Sequence, residues 1–261
     1  MSDSPWFVSR PTSSRAPYLV YCFPHAGGNA RSFLSWQQHL EVDAELVGVC
    51  APGRGMRLDE PSPAGIAELA EGAARAVAAA ADRPFLLFGH SFGAVLAFET
   101  ARRLREHPLL RHLVASGCAA PRLLPSERVR QTAKLRGQEF TEAVAFFGGL
   151  PPEVLAEPEL QDLLLPGLRA DFHLVSGYCY QPDEPLPIGI SLVNGREDPH
   201  VGPAELRHWE HESVLPLRYH WADGGHFYFG PDPAPAVDLL RSLIRADSSA
   251  PSAREEHVEL I

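Results

Sequence analysis

Lysine is nearly absent from this 261-residue sequence: among 23 basic residues Lys134 is the only one, and arginine supplies the rest. With 33 acidic residues the net charge is −10, which excludes a general nucleic-acid binder, because neutralising phosphates needs a basic face. Long apolar runs are missing too. The longest candidate, Phe85 to Phe98, is interrupted by Gly89, His90 and Ser91, so no membrane span is expected. Met1 to Pro17 is polar and rich in Pro and Ser, has no apolar core of a signal peptide, and is expected to be a flexible lead of residues 1–17. The four cysteines, Cys22, Cys50, Cys118 and Cys179, form no CxxC pair; they are expected to be reduced thiols of a cytoplasmic protein that serve as small hydrophobes. What is abundant is alanine and proline, 25 of the latter, in the manner of a high-GC genome's codon usage. Apolar residues at 45% and charged ones at 21% suffice for a sizeable core, in one large domain or two small ones.

Short apolar runs alternate with helical stretches, the pattern of an α/β fold with a mainly parallel sheet covered by helices on both faces. Strands are expected at Tyr18–Phe23, Glu45–Ala51, Phe85–Phe88, Leu110–Ser116, Gly189–Asn194 and Leu217–Ala222. Helices are expected at Ser32–Leu40, Ala64–Ala81, Phe92–Glu106 and Pro233–Arg245. Between about 121 and 187 the rhythm breaks into helical patterns, Ser126–Arg136, Phe140–Phe147 and Pro158–Ser176. That interval reads as a helical lid inserted over the carboxyl end of the sheet, where such folds bind ligands. The domain is thus expected to span 18–246, with 247–261 as a disordered, solvated tail.

One local motif carries chemistry. Gly89-His90-Ser91-Phe92-Gly93 is a G-x-S-x-G sequence between the strand-like FLLF and the helix-like AVLAFETARRL. A strand-to-helix turn there would lift the Ser91 hydroxyl above the sheet, over the free N–H groups of a helix N-terminus. A serine nucleophile needs a base and the base an orienting acid, in chain order Ser, Asp or Glu, His. His226, in Gly224-Gly225-His226-Phe227 after a strand and before the last helix, is the expected base; His208, His211 and His220 lie inside helix-like or strand-like runs. Asp198 follows the strand GISLVN and is the expected acid, ahead of its neighbour Glu197 and of Asp223, which is too close to His226 in the same loop. An oxyanion hole is expected from the N–H groups of Phe92 and of Ala26, in the loop Phe23-Pro24-His25-Ala26-Gly27-Gly28. His25 is expected to shape that loop through hydrogen bonds.

Taken in order, FPHAGG, Ala51-Pro52-Gly53-Arg54-Gly55, GHSFGA, the Asp198 loop and GGHF resemble the stand-alone (type II) thioesterases of polyketide and nonribosomal peptide synthesis, within the α/β-hydrolase superfamily. The lid segment PPEVLAEPELQDLLLPGLRADF is similar as well, so the resemblance runs from about Tyr18 to Arg245. It implies Ser91, His226 and Asp198 as the triad, with Ala26 and Phe92 as oxyanion donors. It departs at Phe92, where the family more often has Met, and at Met56, where Asp commonly follows the PGRG turn. The implied reaction is hydrolysis of acyl thioesters from the phosphopantetheine arm of acyl or peptidyl carrier proteins, and of small acyl thioesters. It implies no metal and no cofactor. The implied purpose is to clear stalled or wrongly primed groups from a synthase. A carboxylesterase, an acyl-transferring relative and a product-releasing thioesterase share the same triad.

Two surfaces remain. Phe140, Phe146, Phe147, Leu163, Leu164 and Leu165 offer apolar side chains for an acyl chamber beneath the lid. Arg128, Arg130, Lys134 and Arg136, with Arg122, form a basic cluster that would dock an acidic carrier; Arg102, Arg103 and Arg105 are the competing cluster. A monomer is expected.

Overall fold

The structure, a computed structural model, describes residues 4–10, 15–150, 152–230 and 232–249. Seven strands, β1 (Phe7–Ser9), β2 (Tyr18–Phe23), β3 (Ala44–Val49), β4 (Phe85–His90), β5 (Leu110–Ser116), β6 (Gly189–Gly195) and β7 (Arg218–Ala222), form one sheet in the order β1-β3-β2-β4-β5-β6-β7. All neighbours are parallel except β1 and β3. The strand YLVYCF shows why it is so uniformly apolar: alternate side chains enter opposite cores. Leu19, Tyr21 and Phe23 pack under α2 (Ile66–Ala80) and α3 (Phe92–Arg103), while Tyr18, Val20 and Cys22 pack with α1 (Gln37–Leu40) and α9 (Ala234–Ser248).

Chain direction makes the site. After β2 the chain runs outward to β3, then returns past β2 to β4 and continues through β5, β6 and β7. The loops leaving β2 and β4 therefore diverge at a topological switch point, which opens a crevice at the strands' carboxyl ends. Phe23 is paired with Gly89, His90 with Ser116, Ser116 with Val193 and Gly195 with Ala222, so the loops after β2, β4, β6 and β7 leave from nearly one level.

Between β5 and β6 lie α4 (Glu127–Lys134), α5 (Gly137–Ala145), α6 (Pro152–Ala156) and α7 (Pro158–Ser176), which make the expected lid. The lid has its own small core of Ala133, Phe140, Val144, Leu168 and Phe172. After β6 comes one short helix, α8 (Pro203–Arg207).

Three expectations need correction. Residues 1–17 are not flexible throughout: β1 pairs with the open edge of β3, and the Trp6 carbonyl accepts the Cys50 N–H at 2.8 Å. Three residues are too few to show strand alternation; the unpaired edge of β3 recruits them. Residues 1–3 and 11–14 of that lead lie outside the described residues. The Ser32–Leu40 helix is a 3₁₀ turn at Leu34–Trp36 followed by the single turn of α1. The start of the expected tail is helical, because α9 continues through Asp247, whose Oδ2 accepts the Tyr18 hydroxyl at 2.7 Å; residues 250–261 lie outside the described residues.

Candidate active site

Ser91 stands between β4 and α3 with φ 55° and ψ −118°, the one non-glycine at positive φ among the described residues. Such a conformation costs about 1–3 kcal/mol and persists only where its surroundings enforce it. They do so through the flanking glycines. A Cβ on Gly89 would lie 2.2 Å from the Gly93 carbonyl oxygen, and one on Gly93 would lie 2.1 Å from that of Phe23. The Ser91 N–H donates to the Ser116 carbonyl at 2.8 Å, which ties the turn to β5.

The loops after β6 and β7 pack backbone to backbone: a Cβ on Gly195 would lie 2.1 Å from the Gly225 carbonyl oxygen, and the Glu197 N–H donates to the Gly224 carbonyl at 3.0 Å. That contact brings His226 Nδ1 within 2.8 Å of Asp198 Oδ2. The other carboxylate oxygen, Oδ1, accepts the N–H groups of His200 at 2.8 Å and Val201 at 3.3 Å. Burial pushes the Asp198 pKa up, but the bonds from His226 and the His200 N–H outweigh it and hold the carboxyl below its ordinary value. Asp223 points to solvent and pairs with Arg196 at 3.4 Å; Glu197 is exposed. His220 lies in β7, and His208 and His211 in a 3₁₀ turn.

Two further histidines crowd His226: His90 at 4.8 Å and His200 at 5.1 Å between ring centroids. His25 sits next in line, 6.1 Å from His90. Burial, reinforced by the nearness of His226, lowers His25 to about 4 and His90 well below its ordinary value. Both rings are therefore neutral near pH 7 and put no competing charge beside His226. The role expected for His25 changes accordingly. Its Nδ1 is buried without a hydrogen-bond partner among the described residues, and the ring shapes the loop by packing edge-on to Phe227 at 4.8 Å.

A cavity of about 120 Å³ is lined by Ser91, His226, Ala26, Phe92, Gly117 and Phe147, among others. Ala26 belongs to a tight turn closed by the Gly28 N–H on the His25 carbonyl at 2.8 Å, with Gly27 at φ 71°. From above, α7 grips this turn. Asp171 Oδ2 accepts the Gly27 N–H at 2.7 Å, and the other oxygen pairs with Arg54 of the Pro52-Gly53-Arg54-Gly55 turn. Neither Arg54 nor Asp171 was singled out from the sequence as a site residue. An acid three positions after Leu168 on a stripe that also holds Phe172 was the available signal, because a buried carboxylate needs partners.

The apolar lid residues disperse. Phe147 lines the cavity of Ser91, and its ring stacks on His200 at 4.9 Å. Phe140 is fully buried in the lid core, so it braces the lid and cannot face an acyl group. Phe146 is half exposed beneath the Arg128 guanidinium, 3.9 Å from the ring centroid. Leu163 and Leu164 border a second cavity of about 310 Å³ behind the Ala26 loop, and Leu165 packs on the lid core. Leu165 parts from Leu163 and Leu164 because successive residues of a helix point about 100° apart.

Of the basic cluster, Arg128, Arg130, Lys134 and Arg136 are exposed on and beside α4. Arg122 is not part of it, being paired with the buried Glu212 at 3.4 Å. In the competing cluster each arginine is paired: Arg102 and Arg103 with Glu99, and Arg105 with Asp183 and Glu184.

A strained serine at a helix N-terminus and an imidazole oriented by a carboxylate, both on one cavity with Ala26 and Phe92, suit acyl transfer through a serine ester. The comparisons agree. A family model described as a thioesterase domain matches residues 19–245. The linear gramicidin dehydrogenase LgrE of Brevibacillus parabrevis is 32% identical over 252 residues, covering 94% of this chain and 95% of its own. Thioesterase PikA5 of Streptomyces venezuelae is also 32% identical, over 97% of this chain and 90% of its own. Among solved structures the type II thioesterase BorB of the borrelidin biosynthetic cluster superposes with a TM-score of 0.83 at 31% identity, over 94% of this chain and all of that one. Strands β3 to β7, the lid and most of the closing helix fall within the matched region, and the chain belongs to the thioesterase family as a serine hydrolase.

Proposed function

We propose that this enzyme hydrolyses short acyl groups from the phosphopantetheine arm of carrier proteins and so clears misprimed synthase arms. Ser91 Oγ attacks the thioester carbonyl while His226 Nε2 takes its proton. The N–H groups of Ala26 and Phe92 stabilise the oxyanion. The thiol leaves with the proton from His226, and the same imidazole then activates water to release the acid. Asp198 holds the proton on Nδ1 and stabilises the imidazolium. The observation that carries this reading is the 2.8 Å bond from His226 Nδ1 to Asp198 on the cavity that Ser91 lines. Nothing in the loop after β2 resembles the G-x-G-x-x-G of dinucleotide sites, so the dehydrogenase name of one relative is not carried over. Free cysteines, three of them buried, suit a reducing cytoplasm.

The small volume of this cavity, about 120 Å³, favours short acyl groups. Phe147→Ala, which removes part of its wall, is expected to raise kcat/KM for longer acyl thioesters relative to short ones, by about tenfold. Phe140→Ala instead empties the lid core and is expected to lower stability by about 3 kcal/mol and activity on all chain lengths alike. A panel of acyl N-acetylcysteamine thioesters with parallel melting curves separates the two; an unchanged chain-length profile in Phe147→Ala would remove that residue from the acyl site.

The carrier is proposed to dock on Arg128, Arg130, Lys134 and Arg136. Lys134 and Arg136 have no carboxylate partner among the described residues, and Arg130 has only a weak one in Glu127 at 3.8 Å. The test is Arg128→Glu/Arg130→Glu assayed on an acyl-carrier protein and on the matching N-acetylcysteamine thioester. KM for the acyl-carrier protein is expected to rise about tenfold, and salt to weaken the wild-type reaction. Activity on the small thioester should stay at the wild-type level. Unchanged KM for the carrier would rule the patch out.

A further inference from the structure

The turn that presents Ala26 has no stiffness of its own. It is three residues from a strand end, contains Gly27 and Gly28, and is closed by one hydrogen bond at 2.8 Å. With glycine at its third position such a turn has two low-energy forms, which differ by a flip of the central peptide; φ 71° at Gly27 marks the form that requires glycine. The N–H of that central peptide is the Gly27 N–H, the one that Asp171 accepts at 2.7 Å.

Three observations make this contact a clamp. Asp171 is 1% exposed and lies on the lid helix α7, far from the turn in sequence. Leu168, one turn earlier on the same helix face, presses on the Gly27 Cα so closely that a Cβ there would lie 2.9 Å from Leu168 Cδ1. Arg54 closes the other side of the carboxylate, donates to the Pro52 carbonyl at 3.1 Å, and sits over the Phe92 ring at 5.9 Å. Burial pushes the Asp171 carboxyl up, and the Arg54 guanidinium and the Gly27 N–H act against that rise. Arg54 also reaches the ring of Phe92, the residue proposed as the second donor.

We propose that Asp171 is a positioning residue for the oxyanion hole: by holding the Gly27 N–H it fixes the place of the turn that carries the Ala26 N–H beside the cavity of Ser91, and Arg54 holds its other carboxylate oxygen. The inference rests on the reading of Ala26 as an oxyanion donor. It has a consequence for the lid. Because the clamp is on α7, the hole is complete only when that helix is seated on the turn.

Breaking the ion pair on one side would leave a buried charge and confound stability with catalysis, so the test removes both charges at once. Arg54→Leu/Asp171→Asn keeps an oxygen for the Gly27 N–H; Arg54→Leu/Asp171→Leu does not. On a short N-acetylcysteamine thioester the Leu/Leu enzyme is expected to lose about 100-fold in kcat with little change in KM, whereas the Leu/Asn enzyme stays within a few-fold of wild type. Affinity for an alkyl trifluoromethyl ketone, which adds the Ser91 oxygen to form a hemiketal oxyanion while the hydroxyl proton passes to His226, should fall in parallel in Leu/Leu alone. Equal kcat and equal ketone affinity in two folded double variants would overturn the proposal. If Leu/Leu does not fold, hydrogen exchange of the Gly27 amide in the wild type decides: slow exchange supports the clamp and exchange at the rate of an open turn refutes it. Ser91→Ala is the control, because activity surviving in it would overturn the serine mechanism itself, whereas loss there with indistinguishable double variants would discard only the clamp.

Discussion

Ser91→Ala is expected to lower kcat by about six orders of magnitude and to leave the fold unchanged. The hydroxyl is the only atom removed, and the turn is held by Gly89, Gly93 and the Ser91 N–H bond to Ser116, none of which involves the side chain. Stability should therefore shift by no more than about 0.5 kcal/mol. A fluorophosphonate should add one mass to the wild type, on Ser91, and none to the variant. Ser91→Gly should also be inactive yet melt higher, because glycine relaxes φ 55° without strain, offsetting its larger entropy in the unfolded chain. Labelling that persists in Ser91→Ala would move the nucleophile to another residue. A lower melting point in Ser91→Gly than in Ser91→Ala would mean the turn stores no strain.

The second large effect is expected from Asp198→Asn, and the hydrogen bonds around the carboxylate explain why so conservative a change is so damaging. Oδ1 accepts two backbone N–H groups, at 2.8 and 3.3 Å, and Oδ2 faces His226 Nδ1 at 2.8 Å. An asparagine amide cannot turn its NH₂ toward two donors, so its oxygen takes the Oδ1 place and its NH₂ points at Nδ1. That nitrogen must then be the unprotonated one, which leaves the proton on Nε2, where it blocks acceptance of the Ser91 proton. A fall in kcat of about four orders of magnitude follows, with KM little changed. Nitrogen-15 shifts of the imidazole should report the switched tautomer. Asp198→Ala, which imposes no tautomer, is expected to be no worse than the asparagine variant. An asparagine variant within tenfold of wild type would show that another group orients His226.

Near Ser91 the sequence was legible because local chemistry and local structure coincide there. A serine between two glycines, after four apolar residues and before a helical run, has few other uses, and the glycine-rich loop between a strand and the last helix singles out His226 as the candidate base. The strands that carry the site were equally legible, since parallel strands buried on both faces read as unbroken apolar runs; β2 is the example, with all six residues buried.

The acid was harder. Asp198 and Asp223 both follow strands, and only the packing of Gly195 against Gly225 decides which of them meets His226. Chain order alone also could not divide the lid's apolar residues between its own core and the chamber wall. Phe140 and Phe147 look alike in sequence, yet one is sealed between α5 and α7 and the other lies on the cavity of Ser91. The same holds for β1, which is too short to announce itself and exists because β3 leaves an edge to cover.

What the amino-acid order determined by itself was the strands β2 to β7, the helical lid between β5 and β6 and the reaction class, because each depends on residues close together in the chain. Tertiary structure alone decided which groups share a cavity, that His25 and His90 stay neutral beside His226, and that a lid carboxylate grips the turn of Ala26. Those outcomes depend on burial and on distances of a few ångströms between segments as far apart in sequence as Gly27, Arg54 and Asp171. Hydrogen bonds and desolvation act only over such distances, so no periodicity in the chain records them.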